Sequence, residues 1–256
     1  MRVLNADRNL LNNIEGWLSN DALFITEQLF ALQRENGWIT GILELGVFKG
    51  KYLSVLAQQA KEANAPVVGV DAFLEKFGLR LAEEHKQSAE NTILNSVRSL
   101  AGSVDNVSLI AGYTHEVSAD RLRGLCPAGY SFVSVDAGHD AADVEHDSAI
   151  ADALMTEQGV AAFDDIYNAV TPGVAEGFFK YMNGDKRNLA PFATCGNKVF
   201  VCRPAQHAAY YGFCKELARS IKQTTPELSR TLDQLEANEA NSWSPTLCGY
   251  EIIPFL

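Results

Sequence analysis

Residues 41–59 read GILELGVFKGKYLSVLAQQ, and three kinds of local signal follow one another there. Ile42 to Leu45 is an apolar run of the length of a short buried strand. Gly46 to Gly50 forms a glycine-bounded turn, and from Lys51 the apolar residues recur at helical spacing. A strand that turns directly into a helix is the unit from which parallel sheets are built, because parallel neighbours need a long crossover.

The same unit recurs on the C-terminal side. PVVGVDAF is a second buried strand ending in Asp71, and a charged helical region is expected over roughly 75–101. NVSLIAGYT is the third strand, with a short helix near 117–124. YSFVSVDAG is the fourth strand, AADVEHDSAIADALMTE a helix and GVAAFDD the fifth strand. TPGVAEGFFKYM places Pro172 just inside a helix start, where its missing N–H costs nothing. APFATCGNKVFVCRP reads as a hairpin turning at Gly196-Asn197.

Upstream, residues 7–36 read as helical, with a fresh N-cap signal at Ser19-Asn20-Asp21. The expected architecture is α/β: a doubly wound, mostly parallel sheet of seven strands with helices on both faces. Residues 1–37 form an N-terminal helical segment, 38–203 the sheet domain, and 204–256 a helical extension docked on it.

Composition narrows the class. The chain has 256 residues, 47% of them apolar and 21% charged, as in an ordinary globular protein able to bury a large core. It has no apolar stretch of spanning length and no secretory h-region at its start, so a cytoplasmic protein is expected. Five cysteines without CxxC spacing fit reduced core thiols rather than a disulfide or zinc framework. A formal charge of −11 argues against nucleic acid or an anionic membrane as partner and is compatible with a metal ion or a cationic small molecule. The extra helices offer surface for a homo-oligomer.

In open α/β sheets ligands bind beyond the carboxyl ends of the strands. The first turn, Glu44-x-Gly46-x-x-x-Gly50, is neither G-x-G-x-x-G nor a P-loop, so it suits a ligand without a pyrophosphate. Asp71, at the end of the second strand, can accept hydrogen bonds from both hydroxyls of a ribose. Tyr113 and Thr114 follow the third strand, where an adenine would lie.

Together, ELGVFKG, VVGVDAF and the acid-bearing fourth and fifth strands resemble the class I S-adenosylmethionine-dependent methyltransferases over roughly 38–203. More narrowly, VDAGHD, GVAAFDD and TPGVAEGF resemble the metal-dependent sugar O-methyltransferases of the macrocin and macrolide-glycoside group. The resemblance implies a Rossmann-like methyltransferase fold with S-adenosylmethionine as cofactor. It places Glu44, Gly46, Gly50 and Asp71 along the cofactor, with Gly46 and Gly50 nearest its methionine part. Ala137 stands where that group often has glycine.

Asp136, Asp164 and Asp165 fall at neighbouring strand ends, where three unpaired carboxylates would repel one another. A hard divalent cation relieves that conflict, and an all-oxygen donor set points to magnesium rather than zinc. The expected reaction is methyl transfer to a sugar hydroxyl, the metal fixing and acidifying the acceptor. His139 is the first candidate for the base and Asp136 the second. Asp140, Asp143, Glu145 and Asp147 are expected on the solvated start of the next helix, with His146 on the surface. Trp17, Tyr113 and Tyr167 are candidate rims for the acceptor. A catechol-type methyltransferase and a non-catalytic cofactor-binding protein are the alternatives, and the glycine spacing disfavours a nicotinamide enzyme.

Overall fold

Asp7 and Ser19 open the first two helices by accepting backbone N–H groups into their side chains. In the computed structural model, which describes residues 2–73, 83–185, 187–224, 229–241 and 243–255, these are α1 (Arg8–Asn12) and α2 (Asn20–Glu35). The helical stretch expected over 7–36 divides in two, and its second run starts at the expected cap signal. Gly16 takes a φ of +140° between the two helices, and Ser19 restarts the chain.

β1 (Ile42–Leu45), α3 (Lys51–Ala60) and β2 (Val67–Asp71) form the first crossover. α4 (Glu83–Ala101), β3 (Val107–Ala111), α5 (Ala119–Leu125), β4 (Tyr130–Val135) and α6 (Ala141–Leu154) continue the alternation. The part of the expected 75–101 helix before Glu83 lies outside the described residues. β5 (Met155–Phe163) begins four residues before the strand expected at Gly159, so α6 is shorter than its sequence pattern. Met155 already pairs with Tyr130, and the register then slips between Tyr130 and Phe132. The β4 pairing thus overrides the helical propensity of Met-Thr-Glu.

α7 (Pro172–Met182), β6 (Ala190–Cys195) and β7 (Lys198–Cys202) follow, then α8 (His207–Thr224), α9 (Ser229–Ala240), β8 (Thr246–Leu247), β9 (Tyr250–Glu251) and β10 (Ile253–Phe255). The sheet order is β10-β6-β7-β5-β4-β1-β2-β3. That makes eight strands, one more than expected, because Ile253 to Phe255 return to pair in parallel with β6. β7 alone runs antiparallel to the other seven.

Alternation along each strand sends side chains to two separate cores. Ile42 and Phe132 pack on the α2/α3 side, and Leu43, Leu45, Val133 and Val135 on the α5/α6/α7 side. Phe132 stacks on Phe30 with ring centroids 4.8 Å apart and meets the edge of Tyr52. Full burial of such a ring contributes about 1.5–3 kcal/mol. Across the base of the sheet, buried Arg203 donates to the Asp152 carboxylate and to the carbonyls of Asp152 and Met155. This ties the α6–β5 junction to the end of β7. All five cysteines are free, four of them buried. Among the described residues no helix is long and apolar enough to cross a membrane.

Candidate active site

The site forms where β2, β1, β4 and β5 end side by side. The sheet hydrogen bonding runs one residue past each strand: Gly46 N–H donates to Val70, Asp136 N–H to Leu45, and Asp164 N–H to Val135. Gly46, Asp136 and Asp164 are thus set in a row by the backbone itself. Gly46 has φ +85°, and a Cβ there would fall 1.9 Å from the Asp136 carbonyl oxygen. Only glycine lets the first loop cross this close to the end of β4.

The second acid of the pair is turned the other way. Asp165 takes φ +60°, and its Oδ1 accepts from the side-chain amides of Asn168 (3.0 Å) and Asn197 (3.3 Å). Its Oδ2 then faces His139 Nε2 at 3.6 Å, too far for a hydrogen bond. One ligand atom from each of Asp136, His139 and Asp165 lies within 4.8 Å of the others. At that spacing the three side chains could share one metal ion.

Asp164 adjoins Asp136 but is not one of the three. Its Oδ1 accepts the Asp165 N–H at 2.9 Å, and its Oδ2 receives Lys198 Nζ at 2.5 Å. Lys198, the first residue of β7, has a side chain only 5% exposed, and its Nζ lies 4.9 Å from the Tyr52 ring centroid. Sequence reasoning did not name Lys198, although a lysine heading the otherwise apolar run KVFVC is a usable signal.

The electrostatics follow from this crowding. Asp136 lies open to solvent at the crevice floor yet is walled by protein on most sides. Desolvation by those walls pushes its carboxyl up, to about 8; Lys198 pulls it back, and Asp164 and Asp165 push it further. Water reaching the crevice screens part of this shift. Glu44, on β1, is 2% exposed and its Oε2 has no hydrogen-bond partner among the described residues. Burial first, then Asp136, holds its carboxyl well above the usual range.

Asp71 is placed at the end of β2 as expected, but its carboxylate serves the loops. Oδ2 accepts the N–H of Val47 and of Phe48, and Oδ1 that of Phe73, each at 2.7 Å. A carboxylate has about four lone-pair sites, so one on Oδ1 stays open to a further donor. Gly50 caps α3 in the left-handed region at φ +82°. Thr114 is buried beyond β3, and Tyr113 stacks on His115 at 5.3 Å. Trp17 is 85% exposed and leans on Phe48 of the glycine loop at 5.4 Å, whereas Tyr167 sits half-exposed after β5.

One expectation on α6 does not hold. Asp147 is 1% exposed rather than solvated, and both its oxygens lack a hydrogen-bond partner among the described residues. The nearby Thr114 hydroxyl lowers its pKa, but burial outweighs that and pushes the carboxyl up to about 7. His146 is half-buried, its Nε2 covered and without a hydrogen-bond partner among the described residues. Asp147 is covered where α6 packs on the segment that carries Thr114 and His115.

The family described as Methyltransferase domain matches residues 43–166, from β1 to just beyond β5. None of the curated proteins matches the sequence. Among solved structures, the O-methyltransferase NovP is similar at 13% identity and TM-score 0.54, over 69% of this chain and 76% of its own. CalS11, described as a TDP-rhamnose 3'-O-methyltransferase of calicheamicin biosynthesis, is similar at 16% identity and TM-score 0.50, over 77% and 90%. An O-methyltransferase from Bacillus cereus, solved with S-adenosylhomocysteine, is similar at 16% identity and TM-score 0.51, over 76% and 90%. At such identities the structural likeness is one of fold. With the domain match, residues 43–166 carry the pattern of a methyltransferase domain set in a methyltransferase-like α/β fold.

Proposed function

We propose that the protein is a magnesium-dependent O-methyltransferase that methylates a hydroxyl of a sugar in a glycoside, polysaccharide or natural product. The observation that carries this reading is the convergence of Asp136, His139 and Asp165 at the strand ends, within 4.8 Å of one another. The description of CalS11, a neighbour of the same fold, supports a sugar acceptor.

The cofactor suits the crevice electrostatically. Its sulfonium and amino groups are positive, and the strand ends present Glu44, Asp71 and Asp136. The orphan Glu44 Oε2 is a buried acceptor that a cofactor ammonium or its water would satisfy. Asp71 keeps one lone pair for the ribose while bracing the loop that bends around the ligand. When bound, S-adenosylmethionine supplies an electrophilic methyl group, and the cation supplies Lewis acidity toward the acceptor oxygens.

Asp136 and Asp165 would hold the cation, leaving its remaining positions to water and to neighbouring acceptor hydroxyls. His139 would take the proton of the acceptor hydroxyl as its oxygen bonds to the methyl carbon and the methyl–sulfur bond of the cofactor breaks, the electron pair staying on sulfur and S-adenosylhomocysteine leaving. The His139 ring is not locked by a hydrogen bond to Asp165, so Nε2 is free to accept. Once the imidazolium forms, Asp165 at 3.6 Å stabilises it. With half of its side chain exposed, His139 then returns the proton to water. Alignment of the acceptor beside the methyl group supplies much of the acceleration.

The test is calorimetric titration of S-adenosylhomocysteine, then magnesium, into wild type and Asp136→Ala/Asp165→Ala, with methyl transfer to TDP-rhamnose and to catechol in parallel. Cofactor binding with magnesium uptake by wild type alone is the expected result. Loss of about 10²–10⁴-fold in His139→Ala supports a sugar hydroxyl, and a modest loss with catechol as the better acceptor supports a phenol. Cofactor binding indifferent to any divalent ion would reduce the protein to a metal-free reading of the site.

A further inference from the structure

The two successive acids at the end of β5 do different things, and the division is made by a residue from another strand. Asp164 has both oxygens engaged, one by the Asp165 N–H and one by Lys198 Nζ. Asp165, flipped by its left-handed backbone, faces Asp136 and His139. Lys198 reaches Asp164 from the first position of β7, next to the turn that also brings Asn197 onto Asp165. Its ammonium sits in a nearly dry niche, between one carboxylate and the face of Tyr52. The hydroxyl of Tyr52 is in turn held by Thr26 at 2.8 Å, so the aromatic wall is fixed from α2.

A buried ion pair is a poor stabiliser, because the desolvation of both charges offsets most of their attraction. Its position beside the cation site offers another role. Glu44, Asp136, Asp164 and Asp165 bring four carboxylates into one crevice, and Lys198 is the cation that influences three of them. Without it Asp164 would be a free, negatively charged oxygen donor one residue from Asp165, and a divalent ion would be drawn toward it.

Resting on the cation reading above, we propose that Lys198 is a positioning residue that reserves Asp164 and confines the divalent ion to the Asp136–Asp165 side. The ion is thereby kept next to His139, with coordination positions open for the acceptor. The cost is a weaker grip on the ion before the acceptor arrives. Lys198 touches none of the reacting atoms; it acts through Asp164 and through its charge.

The probe is manganese alone, titrated at low salt and followed by the loss of its free-ion electron paramagnetic resonance signal. Wild type, Lys198→Met, Lys198→Arg and the double variant Asp164→Asn/Lys198→Met are compared, with circular dichroism to confirm folding. Lys198→Met, freeing a carboxylate and deleting a positive charge, is expected to bind at least about tenfold more tightly, and Lys198→Arg to bind like wild type. The double variant removes the pair as a neutral unit and is expected to stay within about threefold of wild type. This second variant also serves if Lys198→Met fails to fold.

A folded Lys198→Met with unchanged or weaker affinity overturns the proposal and leaves Lys198 a structural residue. A loss of more than about thirtyfold in the double variant overturns it too, because Asp164 would then be a ligand. Both results leave the cation reading of the site intact. No manganese uptake by wild type, with S-adenosylhomocysteine still bound, would instead sink the cation reading and this proposal together.

Discussion

Replacing Gly46 with alanine tests why a glycine stands at the crossing of the first loop. The added methyl would lie 1.9 Å from the Asp136 carbonyl oxygen, 2.4 Å from its carbon and 2.7 Å from Ala137 Cα. All three atoms are backbone, so no side-chain rotation relieves the contact. The left-handed φ of +85° adds about 1–2 kcal/mol for an alanine, and overpacking of this kind adds about 1–3 kcal/mol. A loss of about 2–5 kcal/mol corresponds to a fall in melting temperature of about 4–20 °C for a chain of this size. Gly50 is the internal control. It has nearly the same φ, +82°, but its methyl would meet Ile93 at 3.1 Å through a movable side-chain carbon, with the Ile93 carbonyl at 3.3 Å. Thermal and urea denaturation of both variants without ligand, with S-adenosylhomocysteine titrated into each, separates the causes. Gly46→Ala should be the less stable variant by at least about 1 kcal/mol. Equal stabilities would refute the packing argument. A Gly46→Ala protein of native stability that has lost only the cofactor would mean that the glycine serves the ligand alone.

Asp71→Ala removes the acceptor of three backbone N–H groups and should cost about 1–3 kcal/mol as well as weakening S-adenosylhomocysteine; native stability in urea would show that the loops anchor elsewhere. Arg203→Met strands the Asp152 carboxylate in the core and should cost about 3–5 kcal/mol, with part recovered in Arg203→Met/Asp152→Asn. A single variant as stable as wild type would contradict that account. The Asp147 carboxyl, raised to about 7 by burial, binds its proton more tightly folded than unfolded. Its contribution is therefore fully present below an unfolded pKa of about 3.9 and is lost as pH rises through about 7. The melting temperature of Asp147→Asn, measured in chelator, should fall less than that of wild type between pH 5 and pH 8, and parallel curves would count against the burial argument.

Much of the fold was legible because its signals are local. The run Ile42 to Leu45, the glycines after it and the helical spacing after those need no distant partner to be read, and the strand ends at Asp71, Asp136 and Asp164 follow from where apolar runs stop. The start of β5 and the eighth strand were less legible. Met155 pairs with Tyr130, and Ile253 with Ala193, through contacts between segments far apart in the chain.

The sequence by itself determined which carboxylates stand at the strand ends, since alternating apolar strands and helices leave those acids nowhere else to go. Only the tertiary structure decided what each one faces. Asp71 turned to the amides of the glycine loop because β1 and β2 end together. Asp164 was taken by Lys198 because β7 runs antiparallel beside β5 and starts where β5 stops. Asp165 was left to His139 because a left-handed residue reverses the side-chain direction. Coulomb forces and hydrogen bonds act over a few ångströms, and distances that short between residues tens of positions apart exist only once the sheet has closed them.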